Sequence, residues 1–118
     1  MNNDKAPEAT GFDYFEPGCK KVFKAHSHHL TEIKAEIERV IRKESETGFA
    51  KTKSASRLLF RGRRLLECRV NVGTLPAIRV AFALSGTSEG EEGVTVVYLS
   101  TDIQKSVFSK SLDLFLRS

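Results

Sequence analysis

The sequence predicts a single α+β domain in which an N-terminal helical hairpin packs on a small antiparallel β-sheet and a C-terminal helix closes the chain. Three observations predict it: apolar residues at helical spacing in the first half, alternating segments in the second half, and a last apolar pattern at helical spacing. The 118 residues suit one domain, assigned to residues 12–118. Residues 1–11 are polar and predict a disordered tail.

The first half predicts one short strand and two helices. Phe12–Phe15 is an aromatic strand that Pro17-Gly18 ends, and Cys19–Ala25 is a short helix. After a connection at His26–His29 comes the clearest helix, which Gly48 ends. Its apolar stripe has spacings of three and four, and it consists of Leu30, Ile33, Ile37, Val40 and Ile41.

The second half predicts an antiparallel meander. Leu65–Val72 and Ile78–Leu84 alternate between apolar and other residues, and the β-branched run Val94–Leu99 suits a central strand buried on both sides. Turn residues at 73–76 and a polar, glycine-rich loop at 85–93 connect these strands. Asp102 is the predicted N-cap of a closing helix with a wide apolar face.

A basic segment lies between the helices and the first long strand. Gly48–Arg64 contains no acidic residue and six basic ones: Lys51, Lys53, Arg57, Arg61, Arg63 and Arg64. Arg69 and Arg79 lie on the polar faces of their strands, so we expect one continuous positive surface that attracts phosphates. Two alternatives remain open at this point: a solvated loop whose charge only aids solubility, and a site for an acidic protein partner.

Other motifs exclude several kinds of chemistry. His26, His28 and His29 have no acidic or cysteine cluster at ligand spacing, so a polar helix–helix corner is favoured over a metal site. Cys19 and Cys68 predict free, reduced thiols rather than a disulfide, and hence a cytoplasmic protein. There is no phosphate-binding glycine loop and no nucleophile elbow. The longest apolar run is far too short for a membrane span.

Two segments carry a resemblance to a known family. LLFRGRRLLECRVNVGTLPAIRVAFAL (58–84) and VTVVYLSTDIQKSVFSKSLDLFL (94–116) resemble the arginine–glycine turn, the cationic strands and the C-terminal segment of the RelE/ParE superfamily of toxins from bacterial type II toxin–antitoxin pairs. The resemblance extends over roughly residues 12–116 as a pattern. It implies growth arrest through inhibition of translation.

In the RelE branch the toxin enters the ribosomal A site and cuts mRNA without a metal or cofactor, with the 2′-hydroxyl of the transcript as nucleophile. The resemblance implies that Arg69 and Arg79 are catalytic and stabilise the phosphorane charge. Arg61, Arg63 and Arg64 are expected beside the RNA backbone, and Asn71 replaces a second strand lysine. Lys51, Lys53 and Arg57 complete the predicted nucleic-acid-binding set. The implied partners are a cognate antitoxin and the ribosome with its mRNA.

Two positions depart from the RelE pattern. Phe108 stands where that branch has a tyrosine near the scissile phosphate, and Asp102 stands where it has a further arginine. A phenyl ring transfers no proton, and a carboxylate has the wrong charge to stabilise phosphate. The alternative hypotheses are therefore a non-catalytic RelE/ParE-like module that binds nucleic acid, DNA gyrase or a protein, and a structural domain with incidental charge.

Overall fold

The computed structural model describes residues 9–86 and 92–118. A strand comes first, two helices follow, and four strands and a helix complete the chain, which confirms an α+β fold. The elements are β1 (Ala9–Tyr14), α1 (Glu16–Ala25), α2 (Leu30–Ser45), β2 (Lys53–Phe60), β3 (Arg63–Val70), β4 (Ile78–Gly86), β5 (Glu92–Ser100) and α3 (Lys105–Arg117).

The five strands form one mixed sheet in the order β1-β5-β4-β3-β2. The strands β3 to β5 pair antiparallel in chain order, as the meander predicts, and β2, which was not predicted, pairs antiparallel with β3. The prediction of an entirely antiparallel sheet is wrong at one edge, where β1 runs parallel to β5 and pairs Phe12 with Val94. These two strands are far apart in sequence, so no hairpin turn constrains them to run in opposite directions.

The helices α1 and α2 cover one face of the sheet, which we call face 1. Ile33, Ile37 and Ile41 of the predicted α2 stripe are completely buried, in one apolar cluster with side chains such as Val80 and Val96. Full burial of one aliphatic side chain contributes about 1.5–3 kcal/mol. The predicted apolar faces of β3 and β4 therefore pack against α1 and α2.

The closing helix α3 covers the other face, which we call face 2. Phe108 and Leu112 are completely buried there in a second cluster, with Leu65 and with three small side chains, Ala55, Ala81 and Ala83. The sheet thus has an apolar cluster on each face. In β5, Val96 and Val97 are completely buried in the two different clusters, as its β-branched run predicts, whereas Thr95 and Tyr98 are half-buried.

A bulge in β5 lets this strand serve both clusters. Ala81 pairs with Tyr98 and the next residue, Phe82, pairs with Val96, so Val97 has no partner in β4. Val96 and Leu99 belong to the face 1 cluster, whereas Val97 and Tyr98 belong to the face 2 cluster. An extra residue of this kind breaks the strict alternation of a strand.

Several predicted boundaries are wrong. Pro17 and Gly18 lie in the first turn of α1 rather than after a strand, because proline is tolerated where a helix has no backbone partner for its N–H. Residues 9–11, assigned to the tail, belong to β1; residues 1–8 lie outside the described residues. The α3 helix begins at Lys105 after Gln104, so Asp102 is not its N-cap. The predicted loop at 85–93 is shortened by β4 and β5, and its centre is outside the described residues.

Gly18 lets α1 approach the sheet closely. A Cβ atom built there would lie 1.8 Å from the carbonyl oxygen of Val97, whereas a Cβ on Gly11 would meet nothing within 4 Å. We expect Gly18→Ala to lower the free energy of unfolding by about 1–3 kcal/mol or more, since helix and bulge must separate. Urea denaturation with Gly11→Ala as the control measures this, and equal stability of the two variants would contradict the close approach.

Candidate nucleic-acid interface

The basic segment forms a β-hairpin that the sequence did not reveal. Its residues 53–60 are β2, the edge strand, and Arg61-Gly62 is a two-residue turn into β3. Both turn residues have positive φ, 50° for Arg61 and 79° for Gly62. Two-residue hairpins with positive φ at both positions match the twist of the strands, and glycine adopts this conformation without steric cost.

The tip of this hairpin carries three exposed arginines, Arg61, Arg63 and Arg64, which we call the tip arginines. Arg63 pairs with Phe60 and Arg64 with Leu59, so these two arginines project from opposite faces of β3. The guanidinium of Arg61 lies 4.9 Å from the ring centre of Phe60 and 5.3 Å from that of Phe15. Cation–π contacts at these distances hold a charge over an aromatic surface.

A second group of charges lies at the other end of β3, which we call the Glu67 cluster: Glu67, Arg69, Arg79, Lys105 and Lys53. Arg69 and Arg79 are direct partners across β3 and β4, and Lys53 is the partner of Glu67 across β2 and β3. Residues that pair across strands, and residues two apart on one strand, share a face. All four strand residues therefore project from face 2.

Arg79 is mostly buried, and its guanidinium is held by three contacts. It forms an ion pair with Glu67, and it donates hydrogen bonds to the carbonyl oxygen of Ile103 from Nε at 3.1 Å and from Nη2 at 2.6 Å. Its side chain is 17% exposed and that of Glu67 is 4% exposed. Arg69, by contrast, is exposed to solvent. Of the two arginines predicted to be catalytic, only Arg69 is accessible to a ligand in this arrangement.

Glu67 is the functional candidate that sequence reasoning missed. Its Oε2 atom is buried and accepts no hydrogen bond from any described residue, while the Nζ atom of Lys105 lies 3.4 Å away. The sequence did contain a signal for this site: a carboxylate in the middle of a predicted strand, two residues before Arg69. Buried carboxylates are rare unless a cation neutralises them, so Glu67 predicts a nearby positive partner.

The continuous positive surface expected from the sequence does not form. The α3 helix covers face 2, with Lys105 beside Glu67 at its start and Phe115 beside Phe15 at its end. The remaining exposed members of the predicted set lie elsewhere: Lys51 precedes β2, Asn71 follows β3, and Arg57 lines a cleft of about 570 Å³ between β2 and α3. The predicted cations thus divide into the tip arginines, the Glu67 cluster, and Lys51 and Arg57, which belong to neither group.

The two departures from the RelE pattern have different structural roles. Phe108 is completely buried, with its ring centre 5.8 Å from that of Tyr98 and 5.8 Å from the guanidinium of Arg79. It packs α3 onto the sheet and cannot transfer a proton. Asp102 is exposed, and its backbone N–H donates to the hydroxyl of Ser100.

The thiols and imidazoles show no sign of an active site. Cys19 and Cys68 are free and buried, and burial raises the pKa of the Cys19 thiol to about 12 and also raises the pKa of Cys68. His29 forms a 3.3 Å contact with Glu32 in the next turn, and His28 is exposed. Within residues 9–86 and 92–118, no three histidine, cysteine or acidic side chains lie close enough to hold a metal ion.

Fold and charge together define an α+β protein with two separate cationic groups on one hairpin and its neighbours. Comparisons with protein families, with curated protein sequences and with solved structures found no match. In the part of the chain that the structure describes, no helix is long and apolar enough to cross a membrane.

Loss of Arg79 should destabilise the fold far more than loss of Arg69. Arg79→Ala removes the main partner of a buried carboxylate, and breaking such a pair costs about 3–5 kcal/mol. Arg69→Ala, an exposed change, should stay within about 0.5 kcal/mol. Chemical denaturation of both variants measures this difference. Equal stabilities would contradict the structural role of Arg79, and Glu67→Ala in the Arg79→Ala background should recover part of the loss.

The native thiols should react very slowly with a thiol-specific reagent. An exposed cysteine has a pKa near 8.5, so a pKa of about 12 for Cys19 lowers its thiolate fraction at pH 8 on the order of 1,000-fold. The rate should keep rising with pH above 9, because the thiolate forms only at higher pH. Absorbance assays in buffer and in denaturant measure this, and rapid labelling of the native protein would contradict it.

Proposed function

We propose that the chain is a RelE/ParE-like toxin of a bacterial toxin–antitoxin pair that binds RNA on the ribosome and so arrests growth. The observation that carries the proposal is the placement of Arg69 and Arg79 as partners on face 2, with the helical pair on face 1 and α3 closing the chain. The resemblance implies that these two arginines lie on the sheet face opposite the helical pair, and α3 covers part of that face. The support is geometric and electrostatic.

The exposed cations are suited to binding a phosphate backbone. The tip arginines and Arg69 lie at opposite ends of β3, which spans eight residues or roughly 26 Å at about 3.3 Å per residue. Adjacent phosphates of a nucleic acid strand are several ångströms apart, so one extended strand can reach both groups. Lysine and arginine contacts of this kind release counterions and make binding strongly dependent on salt.

A second function, metal-independent cleavage of the bound RNA, is favoured by one observation. The Oε2 atom of Glu67 accepts no hydrogen bond among the described residues, although cations surround it. Such a carboxylate can take the proton of a 2′-hydroxyl as its oxygen attacks phosphorus. Arg69 and Arg79 would stabilise the phosphorane, and Lys105 would protonate the departing 5′-oxygen. Since Oε2 is enclosed, the segment from Ile103 to Lys105 must move for RNA to reach it.

Binding is tested with a short single-stranded RNA in a titration at several salt concentrations. We expect Arg63→Ala with Arg64→Ala to weaken binding and to reduce the slope of log affinity against log salt by about 1–2, since up to two phosphate contacts are lost. Lys20→Ala with Lys24→Ala on α1 is the control of equal charge. Equal losses in both double variants would show that net charge alone attracts the RNA.

Cleavage is tested in a translating extract with Glu67→Gln, which keeps the shape of the side chain. Cuts at codon-phased positions by the wild type, lost in Glu67→Gln while RNA binding persists, are the result expected of a nuclease. Binding and growth arrest without any cuts would reject the cleavage function and leave the binding function in place. Arg69→Ala should relieve growth arrest in either case, because its cation is the accessible one of the strand pair.

A further inference from the structure

A small aromatic cavity lies beside the hairpin tip. It has a volume of about 240 Å³, and Phe15, Pro17, Phe60, Phe115 and Leu116 line it. The ring centre of Phe15 lies 5.0 Å from that of Phe60 and 6.1 Å from that of Phe115, both in edge-to-face arrangements. Three elements, the β1–α1 junction, the hairpin and the end of α3, thus bring three phenyl rings together around an open space.

The rings around this cavity are only partly buried, although the fold has room for aromatic side chains in its interior. Phe82 and Phe108 are completely buried, whereas Phe15, Phe60 and Phe115 all keep part of their surface accessible. Burial of apolar surface stabilises a fold by about 25 cal/mol per Å², and the fold does not gain this stabilisation from the part of these rings that stays in water. Aromatic surface that is clustered and accessible is typical of a binding site.

The charges around the cavity define the chemistry of its ligand. Arg61 lies over the Phe15 and Phe60 rings, and Arg63 and Arg64 follow it on the same hairpin. The ligand must therefore combine a flat apolar part with negative charge just outside. The volume is below the roughly 300–1,000 Å³ of sites for larger molecules, so it suits one ring system. A nucleotide in a single strand has both features, because aromatic rings stack bases while nearby cations hold phosphates.

We propose that this cavity binds one nucleobase of a single-stranded RNA, stacked against Phe60 beside Arg61, with a flanking phosphate on Arg63, the cross-strand partner of Phe60. The inference rests on the proposed RNA-binding function and deepens it, because it distinguishes single-stranded from duplex RNA. A base inside a duplex is stacked on both sides and cannot enter. The pocket fixes the position of the strand relative to the hairpin tip.

The first test uses the wild-type protein and two probes, a ten-nucleotide oligoadenylate RNA and a ribose-phosphate strand of equal length that lacks bases. Stacking of one base contributes about 1–3 kcal/mol, so we expect the RNA to bind about 5- to 150-fold more tightly. Equal, salt-dependent affinities would overturn the inference and leave the backbone-binding function standing. If neither strand binds, the proposed function and the inference both fail.

The second test locates the base with Phe60→Leu, which keeps an apolar side chain but removes the ring. Its control is Phe49→Leu, another half-buried phenylalanine, whose ring lies 6.0 Å from that of Phe82 on face 1. We expect Phe60→Leu to bind both strands equally with an unchanged salt slope, and Phe49→Leu to keep the preference for the RNA. A preserved preference in Phe60→Leu would overturn the placement of the base in this cavity.

Discussion

The side chain of Glu67 is only 4% exposed, and its carboxylate lies beneath the segment that leads into α3. The position of this helix depends on how the negative charge of Glu67 is neutralised. Arg79 pairs with Glu67 and also binds the Ile103 carbonyl oxygen, so one guanidinium joins two strands to the start of α3. Lys105 adds a second cation from the helix itself. With its start fixed, α3 places Phe108 and Leu112 on the small alanines of face 2.

This constraint also determines where positive charge can meet a ligand. Because α3 covers face 2, the cations of that face that stay accessible to a long anionic molecule include those beyond its two ends, among them the tip arginines and Arg69 with Lys53. Arg79 stabilises the fold in the observed arrangement, and it becomes available for chemistry only if the segment from Ile103 to Lys105 moves. Binding therefore requires less rearrangement of the molecule than cleavage does.

The sequence predicted the elements whose patterns are local. The α2 stripe and the alternation in β3 and β4 are each visible within one segment, and they specify face 1. β2 was missed because KSASRLLF mixes small polar, basic and apolar residues and pairs irregularly with β3. Two other features join residues on different strands: the parallel pairing of β1 with β5, and the ion pair of Arg79 with Glu67. The spacing of residues within one segment cannot predict such contacts. All the predicted basic residues except Arg79 are exposed, and their separation into groups follows from the placement of α3.

The most direct measurement of the central claim is a titration of isotope-labelled protein with single-stranded RNA, followed by backbone amide chemical shifts. Binding through the hairpin and the exposed end of face 2 predicts the largest shifts at the tip arginines, Phe60 and Arg69. Amides on the outer surface of α2, where Glu36 and Arg39 pair at 2.7 Å, should stay unchanged. Shifts confined to the outer surface of α2, or none at an RNA concentration in large excess, would contradict an RNA-binding role for these cations.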